Sequence, residues 1–202
     1  MTRRPAVFVD RDGTLNREVE YLRRVADLRL LPGTATAVRR LTDAGFAVVV
    51  VTNQSGIARG LLDDATLADI HAALVARLTA GGARLAGIYA CPHHPEAGGP
   101  PLRRRCRCRK PSAGLVARAA RELGLDLRRS YCVGDGAVDL GLAAATGTRG
   151  VLVLTGHGRH TARALAARSL DTSLAPAHVA ANFRAAAEWI IDDARRRPRQ
   201  RR

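Results

Sequence analysis

Val7-Phe8-Val9-Asp10-Arg11-Asp12-Gly13-Thr14-Leu15-Asn16 is the stretch on which the fold turns. Its apolar start predicts a buried β-strand, and two carboxylates follow one residue apart. Gly13 then turns the chain. In a parallel sheet, groups just beyond a strand's carboxyl end face the ligand crevice. Two acids there can divide a reaction: one attacks or binds a metal, the other moves a proton. An acidic turn looks the same in isolation, because Asp-Gly is common in turns. The rest of the chain decides between the two.

A second apolar run, Phe46 to Val51, is β-branched and nearly continuous, as in a buried parallel strand. It ends in Thr52-Asn53-Gln54-Ser55-Gly56, a hydroxyl, two amides and a glycine suited to an oxyanion. The chain has only three Asn and two Gln, and two of those five stand together here. A strand over residues 130–134 ends in Asp135-Gly136-Ala137-Val138-Asp139. Asp10, Asp12, Asp135 and Asp139 then converge on one sheet edge. Such a cluster calls for a cation, and Mg²⁺ prefers oxygen ligands. Lys110 is the sole lysine among 33 basic residues, as expected of a site needing a compact ammonium rather than a planar fork. Metal, carboxylates, ammonium and hydroxyl donors together make a phosphoryl-transfer site. No G-x-x-x-x-G-K-[ST] loop is present, so nucleotide hydrolysis of that type is unsupported.

Strand and helix signals alternate along the chain. Helices are expected over residues 33–44, 63–78, 112–123, 138–145, 161–168 and 183–195, with Ser112 and Asn182 as N-caps. In the second, Leu67, Ile70, Leu74 and Leu78 recur at helical spacing. Short strands are expected over 87–90, 150–154 and 178–180. The alternation predicts a three-layer α/β fold with a parallel sheet, residues 1–194 forming one domain. Six of the last eight residues are arginine, so 195–202 reads as a disordered basic tail. The net charge of +15 raises nucleic acid as a partner, but no aromatic-rich basic stretch offers a stacking platform. No apolar run is long enough to span a bilayer, and the N-terminus lacks a signal-peptide core. A cytoplasmic monomer with no membrane partner is expected.

Three of the four cysteines cluster in an irregular excursion, Cys91-Pro92-His93 followed by Cys106-Arg107-Cys108. Three thiolates and an imidazole make a Cys₃His zinc set, although the pairs are tighter than the usual spacing. His94 is the alternative to His93, which spacing favours. With all four positions filled by protein, such a Zn²⁺ is structural. Cys132 reads as a buried thiol in a strand.

Asp10-x-Asp12-Gly13-Thr14, Thr52, Lys110 and the Asp135/Asp139 pair resemble, in order, the four motifs of haloacid dehalogenase superfamily phosphatases. The resemblance implies a Rossmann-like sheet with an Asp10 nucleophile that becomes an aspartyl phosphate, and Asp12 as general acid and base. It implies Mg²⁺ held by Asp10, Asp135 and the Asp12 carbonyl, with Asp139 supporting them from behind. Thr52 and Lys110 would bind the phosphoryl oxygens. Val50-Val51-Thr52-Asn53-Gln54-Ser55-Gly56-Ile57-Ala58-Arg59-Gly60, Cys91-Pro92-His93-His94-Pro95 and Cys108-Arg109-Lys110-Pro111 narrow the resemblance. They are similar to the branch of heptose-bisphosphate 7-phosphatases and histidinol-phosphate phosphatases. There the zinc loop, here residues 91–109, replaces a large cap domain and helps form the substrate rim. The resemblance implies a Mg²⁺-dependent phosphatase that removes the 7-phosphate of a heptose bisphosphate, a small phosphorylated sugar gripped by Glu18, Tyr21, Asn53, Gln54, Ser55 and Arg109 besides Thr52 and Lys110. Gly136 departs from the branch, which often has a substrate-contacting lysine there. Histidinol phosphate, a polynucleotide 3′-phosphate and a non-catalytic zinc module for RNA are the competing readings. Intact Asp10 and Asp12 argue against the last.

Overall fold

The computed structural model describes residues 3–197. Six parallel strands form one sheet: β1 (Ala6–Val9), β2 (Ala47–Asn53), β3 (Gly87–Cys91), β4 (Tyr131–Gly134), β5 (Arg149–Val153) and β6 (His178–Ala180). Their spatial order is β3-β2-β1-β4-β5-β6. All four residues of β1 are buried, which explains a strand with no polar alternation. Its side chains still alternate between two cores. Val7 and Val9 join one, with Val48 and Val50 of β2. Ala6 and Phe8 join the other, with Val49 and Val51.

The helices cover both faces, giving the expected three layers. These are α1 (Thr34–Asp43), α2 (Asp64–Ala80), α3 (Gly114–Leu123), α4 (Ala137–Thr146), α5 (Gly158–Ala166) and α6 (Phe183–Arg196). Helices α1, α2 and α6 supply Val38, Leu41, Ile70, Leu74 and Ile190 to the first core. Helices α3 and α4 supply Val116, Ala119 and Leu142 to the second. Asn182 caps α6 as expected, its Oδ1 accepting from the Ala185 amide at 3.0 Å. Ser112 does not cap α3. Its amide closes a turn onto the Arg109 carbonyl at 2.9 Å, and the helix starts two residues later. The helix α6 takes in Arg195 and Arg196, so the first arginines of the expected tail are helical. Residues 198–202 of that tail lie outside the described ones.

The chain enters the sheet at its centre. From β1 it moves outward through β2 and β3, then returns to the other side of β1 with β4. Strands β1 and β4 therefore flank a switch point, where a crevice opens beyond their carboxyl ends. Asp10 follows β1 and Asp135 follows β4. The loop after β5 closes against the same place. The Thr155 hydroxyl donates to the Gly13 carbonyl at 2.6 Å. Gly156 and Gly13 both have positive φ, 53° and 75°. A Cβ on Gly156 would stand 2.0 Å from Asp135 Oδ2 and 2.6 Å from the Gly13 Cα. Gly156→Ala should therefore destabilise the fold by about 1–3 kcal/mol and displace the Asp135 carboxylate. Denaturant unfolding with and without Mg²⁺ checks this: the variant should lose both stability and metal-dependent stabilisation.

Candidate active site

Lys110 sits at the centre of the crevice. Its side chain is buried, with Nζ 2.7 Å from Asp10 Oδ1 and 2.7 Å from Asp139 Oδ1. The backbone of Lys110 is pinned across the crevice by Asn53. The Lys110 amide donates to Asn53 Oδ1 at 2.9 Å, and Asn53 Nδ2 donates to the Lys110 carbonyl at 3.2 Å. Asn53, expected against substrate, thus spends its amide on aiming the lysine. Asp139 lies in the first turn of α4, where its Oδ2 accepts from the Gly136 amide at 3.1 Å. Asp135 Oδ2 accepts from the His157 amide at 2.7 Å.

One oxygen from each of Asp10, Asp135 and Asp139 falls within 4.8 Å of the others. Burial pushes Asp10 up to about 7, because Lys110 offsets it only in part and Asp139 and Asp12 repel it. Burial likewise pushes Asp135 up to about 6 against the His157 amide. Lys110 moves the other way. Burial alone would lower it, but Asp10 and Asp139 raise it above its ordinary value. The crevice thus carries more negative charge than one ammonium neutralises. An all-oxygen donor set with excess charge fits a hard divalent cation such as Mg²⁺.

Asp12 faces a small cleft lined by Tyr21, Asn53, Gln54, Ser55 and Leu62. Its carboxylate accepts from Asn16 Nδ2 at 3.0 Å and Gln54 Nε2 at 2.8 Å. Arg11 grips it from behind at 2.8 Å. Burial would raise Asp12, but the charge and hydrogen bonds of Arg11 hold it below the usual carboxylate value. The buried Thr52 hydroxyl accepts from Gln54 Nε2 at 2.8 Å, leaving its own proton for a ligand. Glu18 stands near Asp12, and burial and the Asp12 charge raise it. Tyr21 lies under the Arg59 guanidinium, 5.8 Å from ring centroid to Cζ. Arg109 turns toward the cysteine loop instead, its guanidinium donating to the His93 carbonyl at 3.1 Å.

The cysteine loop draws Cys91, His93, Cys106 and Cys108 together. The sulfur of Cys108 is 3.3 Å from those of Cys91 and Cys106 and 3.2 Å from His93 Nδ1. All four cysteines of the chain are free thiols. A tetrahedral ion with Zn–S bonds of about 2.3 Å sets sulfurs about 3.8 Å apart, so the set fits Zn²⁺ after slight expansion. His94 points away, its Nδ1 accepting from the amides of Glu96 and Ala97. Arg104 stands 2.8 Å from His93 Nε2. With a metal on Nδ1 that nitrogen carries the ring proton, and the arginine would withdraw.

Arg11, His71 and Arg59 were not singled out from the sequence. A signal existed for His71, which stands four residues after Leu67 and three before Leu74, on the inward stripe of α2. None existed for Arg11 in a chain so rich in arginine.

Comparison with known proteins agrees with this geometry. A HAD-hydrolase-like family model matches residues 107–186. A D-glycero-β-D-manno-heptose-1,7-bisphosphate 7-phosphatase of Photorhabdus laumondii is 41% identical over 173 residues, 85% of this chain and 92% of that one. A D-glycero-D-manno-heptose-1,7-bisphosphate 7-phosphatase of Thermosynechococcus vestitus is 42% identical over 191 residues, 93% of this chain and 95% of that one. These matches define the class as haloacid dehalogenase-like hydrolases. The crystal structure of the D,D-heptose 1,7-bisphosphate phosphatase of B. bronchiseptica, complexed with magnesium and phosphate, superposes with a TM-score of 0.80. It is 37% identical, covering 94% of this chain and 99% of that one. Within the class, the chain belongs to the heptose-1,7-bisphosphate 7-phosphatase family.

Protons would compete with a Mg²⁺ held by the same carboxylates. Asp10 and Asp135 are raised in the metal-free fold, so the stability they contribute at low pH is lost as pH climbs through about 6 and 7. A Mg²⁺ held by Asp10 and Asp135 would reverse that loss. The rise in Tm on adding Mg²⁺ to EDTA-treated protein should therefore be larger at about pH 7.5 than at about pH 5. Thermal scans at both values check the sign.

Proposed function

We propose that this chain is a Mg²⁺-dependent phosphatase that removes the 7-phosphate of D-glycero-D-manno-heptose 1,7-bisphosphate. The observation that carries this reading is a buried lysine clasping Asp10 in a chain 42% identical to such a phosphatase over 191 residues.

Asp10 Oδ1 is tied to Lys110, which leaves the second oxygen to attack phosphorus. The bond from phosphorus to the sugar oxygen breaks, and Asp12, which the negative charge of the bound phosphate would raise against the pull of Arg11 so that it carries a proton, supplies that proton to the oxygen. The product is an aspartyl phosphate on Asp10 and a free alcohol. Asp12, now a carboxylate, takes a proton from water, whose oxygen attacks the same phosphorus. Asp10 is regenerated and phosphate leaves. Lys110 and the Thr52 hydroxyl donate to the phosphoryl oxygens, where charge builds in both steps. Asp10, Asp135 and the Asp12 carbonyl would hold Mg²⁺, whose chemistry there would be to neutralise charge at those oxygens. Asp139 holds Lys110 rather than substrate.

Cys91, His93, Cys106 and Cys108 would hold a structural Zn²⁺ that gives residues 91–109 their shape. Tyr21, Gln54 and Ser55 line the cleft that would take the sugar, with Arg59 over Tyr21 and Glu18 beside Asp12. No helix among the described residues is long and apolar enough to cross a membrane.

Phosphate release should be fastest, by kcat/KM, on heptose 1,7-bisphosphate among both its anomers, histidinol phosphate and a 3′-phosphorylated oligonucleotide. A preference for histidinol phosphate would overturn the substrate assignment. Asp10→Asn should lose roughly three orders of magnitude in kcat or more, since the covalent step disappears. Elemental analysis should find about one zinc per folded chain. Chelating it should lower Tm, and Cys108→Ser should bind less zinc and melt earlier. Full stability in zinc-free protein would exclude the structural role.

A further inference from the structure

The side chain of Arg11 is fully buried, the largest such side chain among the described residues. A guanidinium cannot shed its proton, so each of its N–H groups needs an acceptor. Here Nε stands 3.1 Å from Asp12 Oδ1 and NH2 stands 2.8 Å from Asp12 Oδ2, a two-pronged grip on one carboxylate. NH2 also donates to Gln54 Oε1 at 2.9 Å. NH1 stands 3.2 Å from His71 Nε2. Arginine only donates, so Nε2 is the bare nitrogen and His71 is neutral, with its proton on Nδ1.

These contacts make a chain across the molecule. Helix α2 carries His71, which orients Arg11, which orients Asp12. Gln54 closes the ring, accepting from Arg11 and donating to Asp12 and Thr52. The rear and flanks of the Asp12 carboxylate are taken up, and the cleft is the direction left open.

We propose that Arg11, seated by His71, is a positioning residue that aims the Asp12 carboxyl at the leaving oxygen. The proposal rests on the reading of Asp12 as general acid, and it assigns to two further residues the geometry that role requires. A guanidinium can fix a carboxylate in plane because it holds both oxygens, which a point charge does not. Angular error of a proton donor is costly, since proton transfer requires hydrogen-bond reach in the transition state.

Two esters separate aim from mere charge. The alkoxide leaving from heptose 1,7-bisphosphate needs a proton, whereas the phenolate leaving from p-nitrophenyl phosphate does not. Both esters share the water step, so kcat/KM, which ends at phosphorylation of Asp10, is the quantity to compare. Arg11→Met should lower kcat/KM for the bisphosphate by about tenfold to a hundredfold, the lower range for a displaced general acid. The aryl ester should lose less than about threefold, as no proton is required. His71→Leu, which preserves bulk but removes the acceptor, should shift the ratio the same way by a smaller factor. His71→Gln, which restores an acceptor, should bring it back toward wild type. Wild-type turnover of the two esters tests the phosphatase reading itself, and the ratio between variant and wild type tests this one. Equal losses on both esters, in His71→Leu as in any folded Arg11→Met, would mean Arg11 acts only through charge or stability. An unchanged ratio in both variants would equally overturn the proposal.

Discussion

The arrangement of this crevice depends on an ammonium buried between two carboxylates. Asp10 and Asp139 keep Lys110 charged against its burial, and removing the lysine would leave those two buried carboxylates facing each other without a cation. The three residues come from distant parts of the chain, and each is held where the fold places it. Asp10 follows the central strand, Asp139 stands in the first turn of α4, and Lys110 leaves the cysteine loop. Asn53 fixes the lysine main chain from a fourth direction. A buried ion pair of this kind adds little to net stability, because desolvation consumes most of the attraction. Its effect is to set geometry. Asp10 is presented with one oxygen held, and the three carboxylates remain too negative to be at rest without a further cation.

Much of this was legible in the residues, and the rest was hidden for physical reasons. Strand β1 could be read because all its positions are apolar and acids follow at once, a pattern that a core strand at a sheet centre imposes. The cysteine set could be read because three of four cysteines share one loop. The role of Asn53 could not, because an amide after a strand suits a ligand as well as a neighbouring main chain. The aim of Arg109 was invisible for a similar reason: its contact with the His93 carbonyl depends on how the loop folds back, which local spacing does not encode. Ser112 shows a capping residue losing to a turn. Ser112 lies in a turn closed by its amide onto the Arg109 carbonyl, and the helix begins at Gly114, where only a glycine clears the Arg107 carbonyl.

The composition of the core follows from the same architecture. With 3% aromatics, the sheet is packed mainly with valine, alanine and leucine. Such side chains fill two thin layers against a central sheet without polar atoms to satisfy. Some of the few aromatic rings pack against one another across β4, β6 and α6. Trp189 stacks on His178 and meets Tyr131 edge-on, while the Tyr131 hydroxyl reaches Asp193 at 2.6 Å.

The burial of Lys110 also has a chemical consequence for the outside of the molecule. Every other basic side chain is arginine, and the one lysine is 3% exposed. The surface therefore presents a strongly cationic face with no side-chain primary amine on it. Acylating reagents, reducing sugars and lysine-directed cross-linkers meet guanidinium groups, which are poor nucleophiles at neutral pH because they remain protonated. The only reactive amine a side chain could offer is locked in a doubly paired ammonium inside the crevice. Covalent traffic that would silence a lysine-rich enzyme by neutralising its surface has here no side-chain amine to act upon.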